Sequence, residues 1–128
     1  MQAEAICRTA VEALEDIKAE DIVVLDVRNM SSLFDYVIVA SAESTRQTRA
    51  LASNVHDKLR AIGASVLGVE GDDSGEWVLV DLGEVIVHVM QPAVRTYYNL
   101  EELWGGKLPE TKIADMQAID GTNRTAPV

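Results

Sequence analysis

The sequence predicts an α/β domain: a mixed β-sheet of about five strands with helices packed on it. Three observations predict the α/β class. Apolar residues recur at helical spacing in two long segments, an unbroken apolar run of strand length occupies residues 35–41, and two alternating segments meet at Leu82-Gly83.

Ile6, Ala10, Leu14 and Ile17 lie on one helical face with charges between them, so residues 3–18 read as an amphipathic helix resting on a sheet. DIVVLDV at 21–27 and DYVIVAS at 35–41 read as central strands, because uniformly apolar runs suit strands covered on both faces. Ser44 and Gln47 stand three apart as a capping box, Leu51, Val55, Leu59 and Ile62 form the stripe that follows, and Gly63 fits a left-handed stop. A short strand is expected near Val66 to Val69, a turn at 71–75, and strands from Glu76 to Leu82 and from Glu84 to Met90. Pro92 suits the first turn of a last helix running to about Leu103, where its missing amide costs nothing. The second strand, the long helix and the third strand together suggest a right-handed crossover that makes part of the sheet parallel. Residues 1–104 are expected to form the domain. Residues 105–128 mix small and polar types without periodicity and are expected to be a flexible tail.

A chain of 128 residues, 48% of them hydrophobic, suits one domain with its own core. Twenty-one acidic residues against 11 basic ones give a formal net charge of -10. That field opposes attraction to phosphate backbones and anionic lipid and favours a basic protein as partner; no direct sequence-specific nucleic-acid binding and no membrane association are expected. The excess lies within residues 1–104, which hold 18 acidic and 8 basic residues. Cys7 is the single cysteine, so no intrachain disulfide can form. Glu4, Arg8 and Glu12 interrupt the N-terminal segment and deny it the apolar core of a signal peptide, so a cytoplasmic protein is expected.

With Leu82-Gly83 as a two-residue turn, Asp81 falls opposite Glu84, Leu79 opposite Ile86 and Trp77 opposite His88, all on one face. The other face holds Val78, Val80, Val85, Val87 and Val89, which is core material. Both tryptophans and two of the three tyrosines lie between residues 77 and 104. Such side chains bury large area and keep a polar tip, as interface anchors do. The catalytic alternatives are thin. Neither GxxxxGK[ST] nor GxGxxG occurs, Cys7, His56 and His88 lack a nucleophile signature, and the histidine spacing of zinc sites is missing. A magnesium ion held by Asp81 and Glu84 is the remaining catalytic idea. No enzyme activity, cofactor or metal is expected. A third reading buries the hairpin face in a twofold homodimer of the free chain.

The segments DYVIVASAESTRQTRALA, GVEGDDSGEWVLVDLGEVIVHVM and RTYYNLEELW together resemble the ribosomal silencing factor family, also called the Iojap family. The resemblance covers about residues 3–104, and its most specific part is WVLVDLGEVIVHVM followed by R-x-x-Y-x-L-E-x-L-W. It implies the nucleotidyltransferase-related fold, and with it the alternative of a metal-dependent nucleotidyltransferase-like enzyme or nucleotide-binding relic using Asp81 and Glu84. It also implies binding to the large ribosomal subunit through the fourteenth large-subunit protein, steric exclusion of the small subunit, and repression of translation under nutrient limitation. Active nucleotidyltransferases carry a Gly-Ser pair at a helix start and acidic residues spaced by one. ASAEST and the wider gap between Asp81 and Glu84 depart from both. By matching position, the resemblance puts partner binding on Trp77, Asp81, Glu84, His88, Arg95, Tyr98, Leu100, Glu101, Leu103 and Trp104. Trp77 and Tyr98 would be apolar anchors, Asp81, Glu84 and Glu101 would meet lysine or arginine, and Arg95 would organise the acidic groups.

Overall fold

The computed structural model describes residues 2–105, so all but the first residue of the expected tail lies outside it. Helix α1 spans Ala3–Asp16 and is followed by strands β1 (Glu20–Asp26) and β2 (Tyr36–Ser41). Helix α2 covers Thr45–Ala61, strands β3 (Gly68–Glu70), β4 (Trp77–Asp81) and β5 (Val85–Met90) come next, and α3 (Pro92–Tyr98) and α4 (Leu100–Gly105) close the described chain.

The five strands form one sheet in the order β1-β2-β5-β4-β3. Both helical stripes lie on one side of it. Ile6, Ala10 and Leu14 of α1 and Leu51, Val55 and Leu59 of α2 pack with Val24, Ile38, Ala40 and the five valines of β4 and β5. On the outer side Val23, Leu25, Val37, Val39 and Met90 make a smaller core with Leu100, backed by Val94 and Trp77. β2 is thus buried along its whole length, which explains its uniform apolar run.

Ser44 caps α2, its hydroxyl accepting from the Gln47 amide at 3.0 Å. The Gln47 side chain does not close the box. Its Nε2 donates to the Ile17 carbonyl at 3.3 Å and ties α2 to the end of α1. Gly63 follows the helix at φ +88°, a conformation that glycine adopts without a Cβ penalty.

Four expectations need correction. β1 is an edge strand, buried because α1 covers its inner face and the α4 side its outer one. β2 pairs in parallel with β5, not with β3. The crossover through α2 does return the chain in the direction of β2, but at the far edge; β4 and β5 then fold back antiparallel into the gap. Six buried residues suit β5 to that centre, whereas Gly68–Glu70 is short and half exposed. The hairpin loop is Gly83-Glu84, closed by the Leu82 amide donating to the Val85 carbonyl at 2.9 Å, with Gly83 at φ +91°. The last helix breaks at Asn99, whose φ of +49° ends α3 before α4 begins.

Candidate partner-binding surface

Moving the hairpin loop by one residue changes every β4–β5 pairing by two positions. Trp77 pairs with Met90, Leu79 with His88 and Asp81 with Ile86. An even shift keeps each side chain on its face, so the separation of valines from functional types holds although the partners differ. Trp77 still reaches His88, diagonally. Its indole Nε1 donates to Nδ1 of His88 at 3.0 Å.

That bond fixes the histidine as an acceptor at Nδ1, with its own proton on Nε2. Burial pushes the His88 pKa down to about 4, so the ring is neutral near pH 7. On its other side Trp77 meets Tyr98, ring centroids 4.8 Å apart, and Tyr98 meets Tyr97 edge to face at 4.9 Å. The rings form a ladder from interior to solvent: His88 is 8% exposed, Tyr98 53% and Tyr97 80%. Aromatic side chains packed ring on ring, with a hydrogen-bonded root, lose little side-chain entropy on contact.

Arg95 organises the start of α4. Its Nη2 and Nε donate to Oε2 of Glu101 at 2.7 and 3.0 Å, and Nη1 donates to Oγ of buried Ser41 at 2.8 Å. Glu101 is therefore already paired within the domain, with its side chain 30% exposed. Leu100 lies in the outer core, at 9% exposure. Leu103 is exposed, and Trp104 falls in α4 with its side chain outside the described residues. Glu84 is exposed on the hairpin loop, and its carbonyl accepts from the Asp35 amide at 2.7 Å. Asp81 is half-buried, with Oδ1 accepting from the Gly83 amide at 2.9 Å.

A concavity of about 350 Å³ lies beside the ladder, lined among others by Phe34, Glu70, Leu79, Asp81, Ile86 and Leu100. Phe34 and Glu70 reach it from the β1–β2 connection and the edge strand, far from the hairpin in sequence, where alternation along β4 and β5 does not reveal them. Leu79 and Ile86 were legible from alternation alone. Cys7 belongs to the inner core, its thiol pKa pushed up by burial, while His88 faces the opposite side of the sheet. His56 sits on α2 with Nδ1 3.0 Å from Asp57. These three candidate nucleophile and base residues do not converge. Among the described residues no group of three or more histidine, cysteine or acidic side chains could hold a metal, and no helix is long and apolar enough to cross a membrane.

Fold and surface together define a small acidic α/β domain with an aromatic ladder and a carboxylate-rimmed hollow on the outer side of a mixed sheet. The chain belongs to the ribosomal silencing factor family: the family model described as "Ribosomal silencing factor during starvation" matches residues 1–127. The ribosomal silencing factor of Chromobacterium violaceum is 54% identical over 109 residues, 85% of this chain and 89% of that protein. A crystal structure of a protein from the same organism matches with a TM-score of 0.82 at 54% identity, covering 85% of this chain and 91% of the other. Further off, a mouse protein named for mitochondrial assembly of the ribosomal large subunit is 30% identical over 111 residues, 84% of this chain and 49% of its own length.

Proposed function

We propose that this chain docks on the large ribosomal subunit through the fourteenth large-subunit protein, occupies the subunit-joining face, and sterically blocks the small subunit, repressing cytoplasmic translation under nutrient limitation. The observation that carries the reading is the Trp77–Tyr98–Tyr97 ladder, rooted on His88 and exposed at its outer end, on a domain of net charge -10. Family membership supports the ribosome as target, and the name of the mouse relative supports the large subunit. Steric exclusion asks only for an occupied surface and needs no reaction. On the same footing we read the architecture as nucleotidyltransferase-like, supported by the central parallel pair β2–β5 with α2 leaving from the end of β2. Homodimerisation of the free chain through the ladder would compete with docking for one surface.

Pelleting with isolated large subunits tests the proposal. Truncating an interface anchor commonly costs ~2 kcal/mol, so Trp77→Ala should bind roughly 30-fold more weakly. Lys58→Ala, which removes only a surface ion pair to Asp16 on the helical side, should bind as the parent chain does. Equal binding by the Trp77→Ala variant would remove the ladder from the interface.

A further inference from the structure

The outer side of the sheet is covered unevenly. Leu100 and Val94 of the C-terminal helices close over residues of β1, β2 and β5, while Leu79 and Asp81 of β4 and Glu70 of β3 stay partly or wholly exposed. The concavity of about 350 Å³ occupies this open ground.

Gly68 bears on what fills it. It stands opposite Asp81 in the β3–β4 ladder, its φ lies outside the left-handed region, and a Cβ placed there would meet nothing within 4 Å. Neither backbone conformation nor packing requires a glycine, and a glycine weakens a strand. What the glycine does is leave Asp81 unscreened from the edge. Glu70, opposite Leu79, sits diagonally across from it. Asp81 spends Oδ1 on the Gly83 amide, and among the described residues neither carboxylate is ion-paired. Between these carboxylates and the ladder, Leu79 and Ile86 supply an apolar floor.

An aliphatic floor ending at two unneutralised carboxylates matches a side chain with a long apolar stem and a cationic head. We infer that this hollow is a slot for one lysine or arginine side chain of the partner protein, its stem on Leu79 and Ile86 and its head group between Asp81 and Glu70. The inference rests on the docking reading above and specifies what that docking recognises. A second copy of this acidic chain would bring like charges together, and an anionic ligand would be repelled.

The test combines Asp81→Asn with Glu70→Gln in one variant and places Gly68→Val in another, with Trp77→Ala in parallel, in large-subunit pelleting at two salt concentrations. The double variant should bind about tenfold more weakly at low salt and show a flatter salt dependence. Gly68→Val should bind about fivefold more weakly while its thermal midpoint rises, a combination that damage to the fold would not give. Parent-like binding by both, with Trp77→Ala still defective, would overturn the slot and leave the docking intact. Should the parent chain itself fail to pellet, the docking reading falls, and the slot is read by titrating N-acetyl-arginine amide into the free protein. Shifts of the Leu79 and Ile86 methyl resonances that vanish in Gly68→Val support it, and unmoved resonances overturn it. Replacing Lys107, Lys112 and Arg124 with alanine should leave those resonances of the free chain unchanged; a shift would give the slot to this chain's own C-terminal segment instead.

Discussion

His88 is held neutral by burial, and the consequence is a defined acid sensitivity. Its pKa falls from the usual 6.5 to about 4 in the folded chain, so between those values the unfolded chain binds the extra proton and the native one does not. Stability therefore declines as pH falls from about 6.5 towards 4, with a slope approaching ~1.4 kcal/mol per pH unit for one proton, and this contribution flattens below 4. Urea titrations between pH 6.5 and 5, above the range where most carboxylates titrate, should show the slope in the parent chain and lose it in His88→Gln. A slope unchanged by the substitution would mean that another group is responsible. Protonation would also put a proton on Nδ1, against the Trp77 indole that now donates to it. The root of the ladder and its acid sensitivity are one feature.

At the scale of elements, the Ser44 cap is the clearest local prediction. Ser44→Ala removes the acceptor for the Gln47 amide and should cost ~1 kcal/mol by thermal or urea unfolding. A loss below ~0.3 kcal/mol would show water replacing the cap at no cost. The five strands, α1 and α2 were foreseeable from period and punctuation, and the start of α3 as well, since Ser44, Gly63 and Pro92 mark boundaries by backbone chemistry that acts locally. Leu82-Gly83 and Gly83-Glu84 both put a glycine in a two-residue loop, so turn chemistry alone does not choose between them. Burial of Leu82, at 4% exposure, decides for the second. The break at Asn99 was invisible for a related reason: helical spacing continues through it, and only the Arg95–Glu101 bridge and the burial of Leu100 show why the axis changes. Of the candidate surface, the Trp77, Asp81 and His88 side was legible from alternation. That Arg95 organises acidic groups came with the family resemblance; that Glu101 is the one it captures was not legible, because it depends on how two short helices meet.

The whole molecule carries its charge as a field as well as a set of contacts. A net charge of -10 approaching a basic protein should accelerate encounter at low ionic strength, so the association rate with large subunits should fall as salt rises. Trp77→Ala should mainly raise the dissociation rate. Stopped-flow measurements on both chains separate the two effects, and a salt-independent association rate would argue against steering. The pairing of Tyr36–Ser41 with Val85–Met90 has a different consequence, for the order in which the molecule comes into being. The middle of the sheet joins segments about fifty residues apart, so a chain ending at residue 75 holds two helices and a β-hairpin with no strand to lie between its halves. Such a fragment should show no cooperative melting. During synthesis the nascent polypeptide must therefore wait, its valines uncovered, until Met90 has cleared the exit tunnel for the inner core to close and until Leu100 has followed for the outer one.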